Sequence, residues 1–345
     1  MLLIFSGLLL LMAANPLNQT IYHGIFGILL HLGFLLFGFH YLENRQLYCW
    51  DRLMGLLMLV FAVEVILGMV QYNLPRNHFI NRYAAEGATS IAYVGERARV
   101  TGTFSYVAGF TSWLFFTNIW IWSLALRRKS IQVITILTAL AILASLISGA
   151  RAALGFTFLF AVFLYYTVLG RISPPRIILV ILTGALIGIS AFQNSPFVRE
   201  AWDNFYSRIE DGIRDQEFGR RTFGVLEEVI NYRGDYPILG SGLGGTYQGA
   251  RSLWGESYIL KRYGGYEEEP ERIVLEGGLV LFFLRTILLI YMLAALRIPK
   301  VYKFLFGIII LFFTHSIFNV YNIVFVPLAL SLLDWAFRNS GKSST

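Results

Sequence analysis

The sequence predicts an all-α polytopic integral membrane protein, with about ten transmembrane helices and a large, partly helical extracytoplasmic loop. Of its 345 residues, 56% are hydrophobic and 14% are charged, whereas roughly 25% are charged in an ordinary soluble domain. The mean hydropathy is +0.61. Ten apolar segments can be read at membrane-spanning length. This composition excludes a disordered chain, a nucleic-acid-binding domain and a simple soluble enzyme.

The first apolar segment begins at Met1 and is short. No basic residues precede it, and Asn15-Pro16 lacks the small residues of a signal-peptide cleavage site, so we expect a retained helix. The ten predicted segments span residues 1–14, 21–42, 53–71, 104–126, 130–149, 152–170, 175–193, 273–296, 302–320 and 322–337.

Basic residues in the short connections predict the orientation of these segments. With ten spans, all five basic groups fall on one side, which the positive-inside rule identifies as the cytoplasm. Both termini are then cytoplasmic, and the net charge of +7 reflects loop ends rather than nucleic-acid binding. The groups are Arg45 with Arg52, Arg127 to Lys129, Arg171 with Arg176, Arg297 with Lys300 and Lys303, and Arg338 with Lys342.

Two long hydrophilic stretches, residues 72–103 and 194–272, then lie on the outer side. The second is expected to be folded, because Val198, Trp202 and Phe205 begin a pattern with helical spacing. We therefore expect three parts. Residues 1–193 hold helices one to seven, residues 194–272 carry the functional loop, and residues 273–345 hold helices eight to ten and a cytoplasmic tail.

Cysteine and histidine usage argues against a metal centre. The single cysteine, Cys49, excludes an internal disulfide and a cysteine-based zinc site. No two of the five histidines have zinc-ligand spacing. We expect no metal ion and no cofactor, although carboxylates could still hold Mg²⁺ or Ca²⁺.

A glycine-rich run occurs near the end of the second outer stretch. Residues 237–245 read Pro-Ile-Leu-Gly-Ser-Gly-Leu-Gly-Gly, which formally contains GxGxxG. A dinucleotide site needs a preceding strand, a following helix and a cytosolic location, and none is expected here. The run is either a tight turn or a loop whose backbone N–H groups, near Gly242 and Gly244, approach a phosphate or sugar.

Three arginines are candidates for binding phosphate. Arg151 lies among small residues between two apolar helices, where a guanidinium is costly without an anionic partner. Its planar fork suits phosphate oxygens, and snorkelling to the interface is the alternative. Arg220 and Arg221 open a predicted helix whose N-terminus favours anions. A solvated charge pair is the alternative for these two.

Three further polar residues lie inside apolar segments: Glu64, Arg285 and His315. Glu64 and Arg285 could make a structural contact between helices, even with each other, or face a polar cavity. For His315 we expect packing with a satisfied hydrogen bond.

An acidic cluster precedes segment eight. Glu267, Glu268 and Glu269 are followed by Glu276, which lies deeper in the apolar sequence. A carboxylate at that depth is well placed to act as a base or to hold sugar hydroxyls. The alternative is a solvated acidic rim.

Four passages, in this order, resemble the O-antigen ligase and polysaccharide polymerase superfamily of bacterial envelopes. The resemblance covers roughly residues 99–320. The passages are Arg99-Val-Thr-Gly-Thr-Phe104, Ser148-Gly-Ala-Arg151, Arg221 followed by Pro237-Ile-Leu-Gly-Ser-Gly-Leu-Gly244, and Leu275-Glu-Gly-Gly-Leu279.

The resemblance implies a multi-helix glycosyltransferase of the bacterial inner membrane. Members take a glycan from an undecaprenyl-pyrophosphate carrier on the outer face and pass it to a lipid or glycan acceptor. The arginines that correspond to Arg151 and to Arg220 or Arg221 hold the pyrophosphate. The expected partners are this carrier-linked glycan, the acceptor and membrane lipid; no nucleic acid, nucleotide sugar or metal is expected.

Because of two departures from the family pattern, the sequence does not decide between a polymerase and a ligase. Glu267 and its neighbours stand where ligases carry a His-Asn pair, and ten predicted spans are fewer than members commonly have. Two functions of other classes also remain: a polysaccharide or lipid transporter (flippase), which would use Glu64 and Arg285, and a non-enzymatic subunit of an envelope assembly complex. The sequence shows no inverted repeat of the kind found in many transporters.

Overall fold

The structure is a computed structural model that describes most of the chain. It covers residues 2–15, 20–48, 50–82, 93–94, 97–127, 129–169, 190, 193–214, 238–263, 269–314, 316 and 318–340. The predicted segment at 175–193 lies almost entirely outside the described residues.

The described chain is predominantly α-helical, as the composition predicts. Its α-helices are α1 (Leu2–Ala13), α2 (Ile21–Glu43), α3 (Trp50–Asn73), α4 (Val107–Leu126), α5 (Ile131–Ser148), α6 (Arg151–Leu169), α7 (Pro196–Arg214), α8 (Gln248–Trp254), α9 (Tyr258–Tyr263), α10 (Glu269–Ala295), α11 (Lys300–Ile308) and α12 (Val320–Ser340). Short 3₁₀ turns occur at Arg45–Leu47 and Phe79–Asn81. Strands β1 (Tyr93–Val94) and β2 (Arg97–Ala98) form an antiparallel pair.

Five of the described helices are long and apolar enough to cross a membrane: Ile21–Glu43, Trp50–Asn73, Ile131–Ser148, Glu269–Ala295 and Val320–Asn339. Each coincides with a segment predicted from the sequence. An apolar helix of about 20 residues spans a bilayer core because every backbone polar group is satisfied within it. The chain is therefore a predominantly helical protein of multi-pass membrane type.

Other predicted segments differ from spanning helices. Helix α1 has 12 residues, which is short for a bilayer core that needs about 20. The segment predicted at 302–320 is helix α11 followed by a π-helical turn at Ile309–Phe313, and the backbone becomes extended at Thr314. Helices α4 and α6 lie where the sequence predicts segments four and six, but neither is among the five helices of spanning length and hydropathy.

The chain forms two compact units that interleave along the sequence. The first unit contains Met1–Tyr48 and Gln216–Ser331, and the second contains Cys49–Asp215 and Leu332–Thr345. The three parts predicted from hydropathy are stretches of sequence, whereas the units are groupings in space. Both units consequently take residues from the predicted first and last parts.

In the second unit, α4, α5 and α6 pack against one another, and α3 packs on α5. A buried polar chain joins three of these helices. Asn118 Nδ2 donates to Thr157 Oγ1 at 2.9 Å, and the hydroxyls of Thr157 and Ser145 lie 2.8 Å apart. Such contacts between helices are common in membranes because small polar side chains permit close approach.

In the first unit, α10 packs against α1, α2 and α11. Near the end of α2, Arg45 donates to the carbonyl of Ala295 at 2.6 Å, and Lys303 donates to the carbonyl of Ala294 at 2.6 Å. Basic residues thus gather where α2 and α10 both end. The glycine-rich run contacts the opposite end of α2, near His23 and Gly27.

Candidate functional site

Residues 240–246, which we call the glycine loop, are buried in the first unit. Gly240, Gly242 and Gly244 have φ values of 78°, 126° and 74°, a region that side chains with a Cβ disfavour. A Cβ on Gly240 would collide with the backbone of Glu276, and one on Gly244 would collide with the carbonyl of His23. The loop therefore requires glycine for both its conformation and its close packing.

Helix α10 is broken at Gly278, which has φ 66° and ψ −174°. The break is sharp. On one straight helix Glu269 and Arg285 would lie about 24 Å apart, yet Arg285 Nη1 is 3.2 Å from Glu269 Oε1. Residues 269–277 therefore fold back toward residues 279–295. This differs from the single continuous span predicted at 273–296, because the Gly277-Gly278 pair permits a bend inside an apolar run.

The glycine loop and the preceding Ile238 satisfy backbone groups that the break leaves open. The carbonyls of Leu275 and Glu276 accept from Ser241 N at 2.8 Å and Gly242 N at 3.0 Å. Val280 N, beyond the break, donates to the carbonyl of Ile238 at 3.4 Å. Since unsatisfied backbone groups are costly in an apolar environment, loop and broken helix stabilise each other.

Glu276 lies at the centre of this junction and is fully buried. Its Oε2 accepts from Gly244 N at 2.9 Å. Its Oε1 accepts from Thr246 N at 2.8 Å and from Thr246 Oγ1 at 2.6 Å. One carboxylate thus holds two backbone N–H groups of the glycine loop, in the way that a backbone nest holds an anion.

His31, on α2, supplies a further contact to Glu276. Its Nε2 lies 2.9 Å from Glu276 Oε2, and both side chains are fully buried. Because the carboxylate acts as acceptor for its other donors, Nε2 carries a proton and donates. The imidazole also meets the Phe318 ring edge-on, with centroids 5.8 Å apart.

Arg272 extends the network on the other side. Its Nε donates to Thr246 Oγ1 at 3.1 Å and its Nη2 to the Thr246 carbonyl at 2.9 Å. Its guanidinium carbon lies 3.6 Å from the centre of the Phe318 ring, a close cation–π contact. Burial raises the pKa of the neighbouring Tyr247 phenol, and the charge of Arg272 acts in the opposite direction.

A second buried network joins the two arms of α10. Glu269 Oε1 lies 3.2 Å from Arg285 Nη1 and accepts from Ser316 Oγ at 2.8 Å. Arg285 Nη2 in turn donates to Ser316 Oγ at 2.6 Å. Within the described residues, the partner of Arg285 is thus Glu269 and not Glu64. Glu269 is 3% exposed, so it is not part of a solvated acidic rim.

The remaining predicted residues lie in the second unit or outside the described residues. Glu64 accepts from Thr103 Oγ1 at 2.5 Å. Arg151 is the first residue of α6, two residues after the left-handed Gly149 that caps α5. Arg99 Nε donates to the carbonyl of Ser148 at 3.4 Å, which joins the first two passages of the resemblance. The predicted residues Arg220, Arg221, Glu267, Glu268 and His315 lie outside the described residues.

The structure therefore brings Gly242, Gly244 and Glu276 together, and it adds His31, Thr246 and Arg272. His31 carries a sequence signal, because an ionisable residue in the middle of an apolar helix is itself a functional candidate. Thr246 and Arg272 gave no comparable signal, since each is an ordinary residue beside a motif.

Comparison with known proteins gives no relative. No known protein family matches the chain, and neither a curated protein nor a solved structure matches it.

Proposed function

We propose that the chain is a metal-independent membrane glycosyltransferase. It moves a glycan from an undecaprenyl-pyrophosphate carrier to an acceptor hydroxyl on the outer face of the bacterial inner membrane, as an O-antigen or exopolysaccharide polymerase or as an O-antigen ligase. The proposal rests on the ordered passages of the resemblance.

One structural observation supports the proposal most. Two of those passages, the glycine loop and Leu275-Glu-Gly-Gly-Leu279, form one hydrogen-bonded junction around the Glu276 carboxylate. They are separated along the chain by α8 and α9, so their contact is not imposed by sequence proximity. Signature residues that assemble in this way are expected at a functional site rather than in unrelated turns.

In the proposed reaction, the bond between the anomeric carbon and a pyrophosphate oxygen breaks, and its electron pair remains on the phosphate. The acceptor oxygen bonds to the anomeric carbon and loses its proton to a base. Arg151 and Arg221, with Arg220 in reserve, are assigned to the negative charge of the leaving pyrophosphate. The N–H groups of Gly242 and Gly244, which the sequence offers to a phosphate or sugar, donate instead to the carbonyl and carboxylate of Glu276. We therefore assign the glycine loop a structural role and not direct binding of the pyrophosphate.

The contacts of the acidic candidates favour different roles for different residues. Both oxygens of Glu276 are occupied by donors from the protein, and Glu269 is engaged by Arg285 and Ser316. These contacts favour positioning roles for Glu276 and Glu269. We therefore assign the general base to Glu267 or Glu268, where a carboxylate would contribute about 10²–10⁴-fold to the rate.

The test is transfer by the purified full chain in lipid nanodiscs. Carrier-linked glycan and acceptor are supplied without metal, and both the lengthened glycan and the released undecaprenyl pyrophosphate are measured. Formation of the lengthened glycan and release of undecaprenyl pyrophosphate in equal amounts support the proposal. The absence of both products with every acceptor class overturns it. In a deletion strain, a single retained repeat indicates a polymerase, whereas full-length chains left on the carrier indicate a ligase.

The broken helix favours a second candidate, a polysaccharide or lipid transporter. Discontinuous helices with buried polar groups line substrate sites in many transporters, and α10 has both the break at Gly278 and the buried Glu269–Arg285 pair. Proteoliposomes distinguish the two functions. Movement of carrier-linked glycan between leaflets without any change in the glycan indicates a transporter.

A further inference from the structure

We infer that His31 is a positioning residue that holds the glycine loop in shape through Glu276; its role in transfer rests on the proposed function. The hydrogen bond from His31 Nε2 to Glu276 Oε2 joins residues that are 245 positions apart. It is the contact through which helix α2 fixes the carboxylate that binds Gly244 and Thr246.

The arrangement of donors gives His31 this role. Thr246 supplies both contacts to Oε1, so that oxygen moves with the loop. Oε2 accepts from Gly244 N, also in the loop, and from His31. Of these donors only His31 stands on a spanning-length helix. His31 therefore fixes the carboxylate to α2, and it adds to the direct packing of the loop against His23 and Gly27 of the same helix.

Packing around the imidazole also suits a fixed anchor. His31 is 0% exposed, and its ring contacts the Phe318 ring that Arg272 covers on one face. Arg272 donates to the same Thr246 hydroxyl that donates to Glu276. Arg272 and His31 thus engage one hydrogen-bonded chain at its opposite ends, through Thr246 and Glu276.

Substitution of His31 by glutamine or leucine distinguishes the effect of the hydrogen-bond donor from the effect of side-chain volume. The amide nitrogen of Gln extends about as far as Nε2 of His and can donate to Oε2, whereas Leu fills space without a donor. His31→Gln is therefore expected to keep the loop fixed, and His31→Leu to release it. The matched control is His40→Gln on the same helix, since His40 is exposed and contacts the nearby Asn44.

Loop release is measured by thiol labelling, independently of activity. Ser241→Cys in a Cys49→Ser background places a thiol at a loop position that is 1% exposed. Adding His31→Leu should raise the labelling rate about 10- to 100-fold, as the loss of a hydrogen bond to a charged group implies. His31→Gln and His40→Gln should leave the rate within about twofold of the parent. If His31→Leu does not fold, His31→Asn replaces it, because its shorter amide falls short of Oε2.

Transfer kinetics supply the second readout. His31→Leu should raise the KM for the carrier-linked donor about tenfold or more, and His31→Gln should restore it. An unchanged labelling rate in His31→Leu, or equal release by Leu and Gln, overturns the positioning role. If the parent chain shows no transfer, the proposed function fails, while the labelling result still decides the role of His31 in the loop.

Discussion

The Glu276 carboxylate meets four donors, and its charge is what suits it to all of them. In Glu276→Gln, one oxygen becomes an NH₂ group that faces N–H donors. Removing one partner from a buried charged network costs about 3–5 kcal/mol, so the variant should unfold at a clearly lower temperature and lose transfer. Thermal unfolding of the purified chain tests this. Glu43→Gln, at an exposed helix end, is the control and should leave unfolding unchanged.

The arginines assigned to pyrophosphate give a prediction of the opposite kind, with activity lost and stability kept. Arg151→Lys and Arg221→Lys retain the charge but lack the planar fork. Losing one charge-assisted contact in the transition state should cost about 2–4 kcal/mol, or roughly 30- to 1000-fold in rate. Arg52→Lys, at an exposed position, should transfer normally. Near-normal rates in both test variants, at normal expression, contradict the assignment.

At the residue scale, the sequence could predict the motif residues but not their partners. Gly242 and Gly244 stand out because they belong to a glycine-rich run, and Glu276 stands out because a carboxylate is unusual inside an apolar segment. His31 meets Glu276 across most of the chain, and no local spacing encodes that pairing. Glu269 was expected as one of a solvated trio or a base. Its partner Arg285 lies too far along a straight helix to be anticipated without the break.

At the scale of elements, the break in α10 requires glycine at position 278. A Cβ at this position would collide with the carbonyl of Ile238, and the φ of 66° disfavours any side chain. Gly278→Ala should therefore destabilise the chain by about 2 kcal/mol or more and expose the glycine loop to thiol labelling at position 241. Chemical or thermal unfolding measures the loss.

Gly55→Ala is the matched control for Gly278→Ala. Gly55 is a helical glycine of α3, and a Cβ added there meets nothing within 4 Å. Alanine should stabilise that helix slightly, since glycine costs roughly 0.5–1 kcal/mol inside a helix. Equal effects of the two substitutions would contradict the view that Gly278 is required by the break.

Hydropathy could predict where helices lie, because an apolar run of bilayer length leaves a helix few alternatives. It could not predict the break or the π-helical turn at Ile309–Phe313. The Gly277-Gly278 pair permits a bend, but the break also depends on hydrogen bonds from the glycine loop, which is distant in sequence. The π-helical turn lies in a continuous apolar run that gives no sign of it. The apolar spacing around Val198 and Phe205 correctly predicts the amphipathic helix α7.

Helix α7 is tied to strand β2 by a bidentate pair, with Arg97 Nε and Nη2 at 2.7 Å and 2.8 Å from the Glu200 oxygens. The hydrogen bond from Arg97 lowers the pKa of Glu200. A lowered carboxyl pKa gives stability that is present above its unfolded value and lost as pH falls through the folded value. Because both side chains are partly exposed, the contribution at neutral pH is at most about 1 kcal/mol.

The corresponding prediction concerns Glu200→Gln. It should speed proteolysis around α7 modestly at pH 7, and the difference from the parent should vanish as the pH falls below about 4. Limited digestion with acid-tolerant and neutral proteases measures this. Asp203→Asn, at an exposed position on the same helix, serves as control. A difference that grows toward acid pH would have the wrong sign.

At the scale of the whole molecule, the interleaved units show what a linear reading omits. The sequence predicts an N-terminal helical part, a loop and a C-terminal part. In the structure, Met1–Tyr48 belongs with Gln216–Ser331, so the first helices of the chain complete the unit that contains the glycine loop. The hydrogen bond between His31 and Glu276 lies within this unit, and hydropathy does not predict contacts of this kind.

The membrane orientation of the first unit is the last prediction. The glycine loop contacts the start of α2, and Arg45 and Lys303 contact the carbonyls where α10 ends. The ends of a 23-residue helix such as α2 lie about 34 Å apart, which is long enough to cross a bilayer core. With basic residues on the cytoplasmic side, Arg251→Cys should react with an impermeant thiol reagent in intact spheroplasts. Lys300→Cys should react only after permeabilisation, both in a Cys49→Ser background. Both positions are exposed, so each permeabilised sample controls for reactivity. If only Lys300→Cys is labelled in intact spheroplasts, the orientation is the opposite of the predicted one. The glycine loop could not then serve a carrier on the outer face.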